Sequence, residues 1–597
     1  MIVNIQHIFL LNGKPPGYLN RKISLYFGLI AFLLLFGFRE ISGQSINLRI
    51  MKNSVDNEKL FAAAGKWESF IDTISMLSYL QQSRQKSVNE GFLTASFDSL
   101  VWASDSLTAF MRIGYEYQWA ELRNGNVPEE FLNRVGFRDK IYRKAPFKPA
   151  LLAQLFEKLL DYSENSGYPF AEIHLDSLEF FENSLKASLH LERHNFIKID
   201  SVIIKGNIRT SRNYLENYIG ISKNMAYNQQ VLNRIPDRLR ELPFVQVIKP
   251  YEIGLRPGKA DVYLYLDSRK ASNFNGVLGV LPDNETGKVV FTGDVELNLM
   301  NALSQGETIN MRWQRLQTRT QQLDLRFAYP YILNTPFGTE FKMNLYRQDT
   351  LFSQINIQAA IQYYFSGANF VKVFVEQAQA NVISAQIFSL DRYVDSRSTL
   401  FGIGATTGNL DYRFNPRRGY FLETTLSAGN KKIEQNAEVN PEFYEGLTLN
   451  SEIYNLNFRI GNYFPIGNRA TILTRVFAGH FINENMFRNE MYRLGGLKSI
   501  RGFDEQSIFA STFAIGTIEF RYLLEQNSNL FIFVDQGYYE DQSASENISD
   551  TPFGFGGGIN FETAAGIFSL TYALGRQFDN NISLRGGKLH FGFVSFF

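Results

Sequence analysis

The chain has 597 residues, with 60 Lys and Arg against 59 Asp and Glu and no cysteine. This charge balance gives no electrostatic reason to expect nucleic acid as a partner. The lack of cysteine excludes disulfides, thiolate metal sites and a catalytic thiol. Aromatic residues make up 15% of the chain, yet the mean hydropathy is only −0.18. A β-barrel has such a composition, because apolar and polar residues alternate along its strands.

One segment near the N-terminus is continuously apolar. Arg21 and Lys22 precede an apolar run over residues 23–38, and small residues follow before Gln44. This pattern predicts a secretory signal peptide. The alternative is a transmembrane anchor, but the run is shorter than the roughly 20 residues that span a bilayer. No later stretch resembles a transmembrane helix, so a membrane-embedded mature chain requires a closed barrel.

Weak internal repeats follow the signal peptide. Gly91 and Gly167 lie in similar stretches, as do Gly125-Asn126 and Gly206-Asn207. The spacing of about 75–80 residues fits one small domain per repeat. The predicted divisions are a signal peptide (1–43), a degenerate first domain (44–119), a second domain (120–195), a third domain (196–271) and a β-barrel (272–597).

The third copy shows the repeated unit most clearly. A strand ends at Gly206-Asn207, a short helix over 212–219 and a longer one over 228–242 follow, and two strands complete the unit. Asn228 is the predicted N-cap of the longer helix, which Pro243 ends. This β-α-α-β-β order resembles the POTRA domain. The resemblance implies periplasmic modules that bind incoming strands at their sheet edges; the alternative is a rigid spacer.

Strand periodicity dominates from about residue 273. Ile309, Met311 and Trp313 alternate with polar residues, and residues 322–329 and 371–376 repeat the pattern. The polar face meets bulk water in a soluble sandwich and lines the lumen in a membrane barrel. Strands of about 9–11 residues with aromatic ends favour the barrel. At about 20 residues per strand and turn, this region predicts about 16 antiparallel strands.

The extreme C-terminus has the pattern of a closing strand. Leu589, Phe591, Phe593, Ser595 and Phe597 occupy alternate positions, and the chain ends on phenylalanine. Such an ending resembles the sorting signal of bacterial outer-membrane proteins.

A loop motif carries the most specific signal. Residues 495–503 read Gly-Gly-Leu-Lys-Ser-Ile-Arg-Gly-Phe, a strand containing Glu519 follows, and residues 533–537 read Phe-Val-Asp-Gln-Gly. This ordered set closely resembles the BamA/TamA outer-membrane assembly superfamily, and the resemblance covers nearly all of the mature chain. The lumen-loop motif it indicates comprises Gly496, Ser499, Ile500, Arg501, Gly502 and Phe503.

The resemblance also implies how this loop is held. A long loop inside a lumen must be tied to the wall, and an arginine at its tip can form charge-assisted bonds with inward carboxylates. Glu519 and Asp535 are the predicted tether carboxylates. Gly502 permits close backbone approach or a positive φ, and Phe503 packs the tip. The alternative is that Arg501 is an ordinary lumen charge.

Catalytic interpretations find little support in the sequence. His190 and His194 are four residues apart, but the alternating pattern around them predicts a strand rather than a shared helical face. No Gly-x-Ser-x-Gly elbow and no phosphate-binding Gly-Lys-Ser/Thr order occur. We therefore expect a protein that is not an enzyme and uses no cofactor or metal.

The favoured function is insertion of β-barrel proteins into the outer membrane. An incoming strand would pair at a weak seam between the first and last strands without exposing its backbone to lipid. The expected partners are nascent outer-membrane β-barrel proteins, the lipid bilayer, and periplasmic chaperones or accessory assembly subunits. The predicted seam residues are Phe274, Gly276, Gly279, Phe591, Gly592, Phe593 and Phe597.

A two-partner secretion translocator, a pore that exports one client polypeptide, is the competing prediction. Members of that class resemble this chain in motif but commonly carry two POTRA units and an N-terminal plug helix. Three units point to the TamA-like branch, whereas the BamA branch usually has five. A simple porin is a weaker third option because porins lack periplasmic modules.

Overall fold

The computed structural model describes residues 45–53, 66–282, 289–317, 320–383, 393–412, 415–436, 439–543, 547–563, 566–578 and 580–596. The predicted signal peptide and Phe597 lie outside the described residues. The chain divides into two compact units, the first extending to Tyr162 and including Glu172–Glu192, the second comprising Ser163–Ala171 and Arg193–Phe597. No helix in the described ranges is long and apolar enough to cross a bilayer.

The first unit contains two four-stranded sheets. The first sheet has the order β2-β1-β4-β3 and the second the order β6-β5-β8-β7. The first sheet and its helix comprise β1 (Ile46–Asn53), β2 (Glu68–Phe70), α1 (Thr73–Asn89), β3 (Ser96–Ala103) and β4 (Ser106–Arg112). The second sheet and its helices comprise β5 (Gln118–Arg123), α2 (Glu129–Val135), β6 (Ala145–Pro146), α3 (Pro149–Glu164), β7 (Glu172–Phe181) and β8 (Ser184–Glu192).

Both sheets depart from a plain β-α-α-β-β order. The described part of the first has two strands before its one helix, and the second has the two-residue strand β6 between its helices. Both added strands pair antiparallel with the first strand of their sheet. Each lies at one end of its sheet and so extends the sheet in its own plane.

A three-stranded sheet with the order β10-β11-β9 forms the third domain, within the second unit. Its core includes Leu215 from a helix and Val262 and Leu264 from the central strand, all fully buried. Its elements are β9 (Lys198–Lys205), α4 (Arg212–Ile219), α5 (Gln229–Asn233), α6 (Ile235–Arg240), β10 (Val245–Arg256) and β11 (Lys259–Ser268).

The predicted helix over residues 228–242 is wrong in one respect, because it is split at Arg234 into two helices. Pro236 lacks the N–H that would bond to the carbonyl of Leu232, and its ring clashes with that carbonyl in a continuous helix. The predicted N-cap is confirmed, since the Asn228 side chain accepts a hydrogen bond from the N–H of Val231 at 3.0 Å. Leu232, Ile235 and Leu239 are all buried, so both helices still present apolar side chains to the core.

A closed antiparallel barrel forms the rest of the second unit. Its strands are β12 (Asn273–Pro282), β13 (Val289–Met300), β14 (Thr308–Gln317), β15 (Thr320–Tyr329), β16 (Phe337–Gln348), β17 (Phe352–Ser366), β18 (Asn369–Val382), β19 (Ser396–Gly408), β20 (Gly419–Ile433), β21 (Asn450–Ile466), β22 (Ala470–Asn483), β25 (Thr512–Leu523), β26 (Asn529–Asp541), β27 (Ile548–Asp550), β28 (Phe553–Thr563), β29 (Gly566–Arg576) and β30 (Lys588–Phe596). A hairpin of β23 (Tyr492–Leu494) and β24 (Ile508–Ala510) lies between β22 and β25.

The barrel wall has 16 strands, which confirms the predicted number. β27 and β28 both pair with β26 in one unbroken register, with Tyr539 opposite Asp550 and Gln536 opposite Phe553. They form one wall strand interrupted at Thr551-Pro552, where proline cannot donate to the ladder. Several strands exceed the predicted 9–11 residues, and β21 has 17, so they are longer than a bilayer requires.

In the barrel, apolar side chains are exposed on the outside and polar side chains are buried inside, the reverse of a soluble protein. On β25, the side chain of Ile518 is outward and 62% exposed, whereas its neighbours Thr517 and Glu519 are inward and buried. On β26, Ile532 is 64% exposed and Asp535 is fully buried. An apolar outer wall around a polar interior is the arrangement expected where lipid surrounds the barrel.

One barrel turn packs into the core of the third domain. Tyr331, between β15 and β16, is buried in the same apolar cluster as Leu215. Its ring centroid lies 5.8 Å from that of Tyr214 on α4, and Arg238 of α6 donates a hydrogen bond to Ser366 at the end of β17. The third domain therefore lies at the barrel end where β15 meets β16 and β17 meets β18.

Candidate functional site

Residues 484–511, here called the lumen loop, connect β22 to β25 at the barrel end opposite the third domain. The hairpin of β23 and β24 forms its stem, and residues 495–507 form its tip. Ile500 and Phe503 of the tip pack against Phe513 and Ile515, which point inward from β25. The loop therefore folds back into the barrel, because its apolar tip is buried there.

Arg501 at the tip contacts both predicted carboxylates. Its Nε and Nη2 atoms donate to the two oxygens of Asp535, each at 2.7 Å, and Nη1 donates to Glu519. The backbone N–H of Arg501 also donates to Asp535 at 3.1 Å. All three side chains are buried. The planar guanidinium thus binds one carboxylate through two bonds and the other through one, a geometry that lysine cannot reproduce.

The surrounding wall completes this ion cluster. The guanidinium carbon of Arg501 lies 3.4 Å from the ring centroid of Phe533, and Thr517 donates to Asp535 at 2.8 Å. Arg521 donates to the second oxygen of Glu519 at 2.6 Å. A third guanidinium, that of Arg475, donates to Thr517 at 3.1 Å, so three arginines lie around the two carboxylates.

The remaining motif residues shape the tip. The Ser499 hydroxyl accepts a hydrogen bond from the Gly495 N–H at 2.8 Å and donates to the Gly495 carbonyl at 3.0 Å, which closes a tight turn. Gly496 and Gly502 have φ of 89° and 93°, a region that side chains disfavour. A Cβ on Gly496 would lie 1.9 Å from the Glu505 carboxylate. The two glycines are therefore required by backbone geometry.

The closure of the barrel is weakest between its first and last strands. β12 and β30 share three paired positions, Asn273 with Phe596, Phe274 with Ser595 and Asn275 with Val594. In contrast, ten positions pair β12 with β13 and seven pair β29 with β30. In the described residues, most of the facing edges of β12 and β30 thus have no ladder partner across this junction, which we call the seam.

The predicted seam residues occupy different parts of these two strands. Phe274 lies within the paired part and Gly276 directly beyond it; Gly279 faces Thr292 on β13. On β30, Phe591, Gly592 and Phe593 pair only with β29 in the described structure.

The sequence pattern of the Omp85 superfamily domain matches residues 301–597. The barrel domain belongs to the Omp85 superfamily. Two solved structures of CdiB share its fold, one from Escherichia coli (13% identity, 88% of this chain and 97% of that chain covered, TM-score 0.52) and one from Acinetobacter baumannii (12%, 88%, 97%, 0.51). BamA from Haemophilus ducreyi lacking POTRA domains 1–3 aligns with 14% identity over 81% of this chain and 100% of that chain, with a TM-score of 0.41. No curated protein matches the sequence significantly.

The superfamily predicted from the loop motif is thereby confirmed, and the TamA-like branch stays a prediction. The 16-stranded Omp85 barrel makes the chain an integral protein of the outer membrane. Three α+β domains resembling POTRA domains precede that barrel.

The Omp85 barrel holds its lumen loop at a second point that sequence reasoning missed. Lys431, near the end of β20, is buried and donates to the Glu490 carboxylate in the first part of the loop. Its Nζ also donates to the carbonyl of Asn485 at 2.8 Å and to Asn483 Oδ1 at 3.2 Å. The sequence does not show that Lys431 is buried. Its partner Glu490 lies 59 residues away along the chain, so no local pattern links the two side chains.

We expect Lys431→Met to loosen the base of the lumen loop. The variant leaves the buried Glu490 without its cation, and breaking a buried pair typically costs about 3–5 kcal/mol. Hydrogen exchange of residues 486–494 should therefore accelerate.

Lys498→Met is the matched control, since Lys498 is in the same loop but forms an exposed pair with Glu296 at 3.4 Å. Exposed pairs are worth about 0–1 kcal/mol, so exchange should barely change. Equal exchange in the two variants would show that Lys431 does not anchor the loop.

Two other neighbours of Arg501 could not be predicted from the sequence. Phe533 and Thr517 lie around Arg501 because β25 and β26 are adjacent in the wall, which places Thr517 directly opposite Asp535. Alternation shows that these residues point inward. It does not show which inward residues meet the tip of a loop.

Proposed function

We propose that this protein inserts β-barrel clients into the outer membrane, receiving them at its periplasmic POTRA-like domains and pairing their strands at the seam. The observation that carries the proposal is the three-residue pairing between β12 and β30. The clients are nascent outer-membrane β-barrel proteins, and periplasmic chaperones or accessory subunits deliver them.

The seam supports this role on energetic grounds. A backbone N–H or C=O without a partner in hydrocarbon costs several kcal/mol, so unpaired strand edges in a membrane are strong templates for another strand. The edges of β12 beyond Asn275 and of β30 before Val594 are such templates in the described structure. A client strand that pairs there satisfies its own backbone while it leaves water for lipid.

The first two domains offer edges of the same kind. β3 and β7 each lie at the end of their sheet. Large apolar side chains on both strands are about half exposed: Leu100, Val101, Trp102, Leu178, Phe180 and Phe181. An unpaired edge that carries exposed apolar side chains suits β-augmentation by an extended client segment. This feature favours binding modules over rigid spacers.

A second candidate, export of a client through the lumen, rests on a different observation. A cavity of about 610 Å³ opens among Arg326, Lys372 and Arg459 in the barrel and Tyr214 and Phe244 in the third domain. Its lining combines cationic side chains with aromatic rings, a mixture that suits an unfolded chain in transit. For this route the lumen loop must leave the barrel, which requires its two buried anchors to break.

Site-specific crosslinking separates the two candidates. The chain contains no cysteine, so Leu589→Cys provides a single reactive thiol at the seam. Leu589 lies in the part of β30 that does not pair with β12. Asn457→Cys, which lines the cavity, is the matched position in the lumen. Each variant is reconstituted in lipid vesicles and given a barrel client with one cysteine in its last strand.

We expect crosslinks at Leu589→Cys that appear during client insertion and weak or no crosslinks at Asn457→Cys. The reverse pattern, with a secreted client crosslinked only in the lumen, would establish the export role instead. A client that crosslinks at neither position would contradict both.

A further inference from the structure

The backbone of the lumen loop lies directly against two glycines of the barrel wall. A Cβ built on Gly554 of β28 would lie 2.1 Å from the carbonyl oxygen of Arg501. A Cβ built on Gly575 of β29 would lie 2.5 Å from the carbonyl oxygen of Gly502 and 3.0 Å from the Phe503 ring. Since non-bonded atoms prefer separations of about 3.5–4.0 Å, neither position accepts even an alanine methyl while the loop stays in place.

The contact is mutual, because a Cβ on Gly502 would lie 2.5 Å from the carbonyl of Leu574 and 2.7 Å from the backbone nitrogen of Gly575. Three glycines thus bring loop backbone against wall backbone. The other inward glycines of β28 have different neighbours: Cβ atoms on Gly556 and Gly558 would meet carbonyls of β29. Those two glycines serve strand packing rather than the loop.

We propose that Gly554 and Gly575 form a floor that positions the tip of the lumen loop, and that the ion cluster holds the loop only when this floor is free of side chains. The floor and the ion cluster act on the same few atoms. The Arg501 backbone lies over Gly554 while its side chain reaches Asp535. A methyl that lifts the backbone by roughly 1 Å stretches bonds of 2.7 Å beyond the hydrogen-bonding range of about 3.2 Å.

The floor also sets where the tip lies relative to the seam. β29 is the neighbour of the last strand, β30, and Asp504 of the tip pairs with Lys588 of β30 at 2.6 Å. On the other side of the tip, Lys498 reaches Glu296 of β13. A tip seated on the floor therefore contacts strands on both sides of the seam from inside the barrel.

Alanine substitutions test the floor in the full-length protein in detergent. We expect Gly554→Ala and Gly575→Ala to accelerate hydrogen exchange of residues 499–503 on the order of tenfold or more, because the tip detaches by local opening. Gly516→Ala on β25 is the matched control. Its Cβ would meet nothing closer than the Gln536 carbonyl, at 3.9 Å, and exchange should be unchanged.

A double-mutant cycle with Arg501→Ala distinguishes the floor from a general effect on the wall. If the floor acts through the seated tip, Gly575→Ala should add little once Arg501→Ala has released that tip. Normal exchange in both glycine variants, or fully additive effects in the cycle, would overturn the proposal.

Heat-modifiable gel mobility reports whether each barrel has folded. Should Gly575→Ala alone fail to fold, the floor predicts that the Arg501→Ala/Gly575→Ala protein folds, since the methyl then meets no seated tip. If neither protein folds, Gly575 is needed by the barrel wall itself, and the proposal that it positions the loop tip is refuted. None of these readouts depends on the insertion activity, so they stand apart from a test of the proposed function.

Discussion

We expect Arg501→Ala to release the tip of the lumen loop and, under the proposed function, to lower client insertion by an order of magnitude or more. The substitution leaves Asp535, which is fully buried, and Glu519 without the cation that both contact. Loss of one partner from a buried ion cluster typically costs about 3–5 kcal/mol. The loop has no comparable set of charge-assisted bonds elsewhere in its described tip, so the cost appears as local opening. Hydrogen exchange over residues 495–507 and client insertion into vesicles measure the two effects.

Two further variants define the cause. Arg501→Lys keeps the charge but not the fork that binds both carboxylates, so we expect an intermediate effect. Arg397→Ala removes an exposed arginine paired with Glu434 at 3.6 Å and should leave exchange and insertion unchanged. Wild-type protection of the tip in Arg501→Ala would show that Arg501 is an ordinary lumen charge, the alternative considered from the sequence.

Locking the seam abolishes insertion if clients enter there. Phe274 faces Ser595 across the seam, and facing residues of antiparallel strands have Cβ atoms about 4.5–5.5 Å apart, close to the separation that a disulfide spans. Because the chain has no cysteine, Phe274→Cys/Ser595→Cys forms one defined crosslink. The oxidised protein should insert no client, and reduction should restore insertion.

The control crosslink uses the other edge of the same last strand. Gly592 faces Ser569 on β29, and a Cβ on Gly592 would lie 3.5 Å from that of Ser569, within the range for a disulfide. Ser569→Cys/Gly592→Cys joins two strands that are already well paired and should leave insertion intact. Equal activity of both oxidised proteins would refute insertion at the seam.

The sequence was a good guide to the barrel and to the helix α4. Alternation around Ile309 and Met311 shows which side of a strand is apolar, because the side-chain period of two is local. The helix over 228–242 was a poorer prediction. The helical spacing of its apolar residues favoured one continuous helix, whereas Pro236 divides it into two. The pairing of Arg501 with Asp535 was proposed from the resemblance alone, because no local pattern links residues 34 apart.

By itself the sequence determined the alternating strands, the aromatic last strand and the arginine-bearing loop motif, because each is a pattern within a few neighbouring residues. Only the tertiary structure decided that the seam has three paired positions, that Lys431 anchors the base of the loop and that Gly554 lies under Arg501. These features depend on how strands distant along the chain are arranged around the closed barrel. Barrel closure sets such distances through strand stagger and tilt, which no single segment encodes.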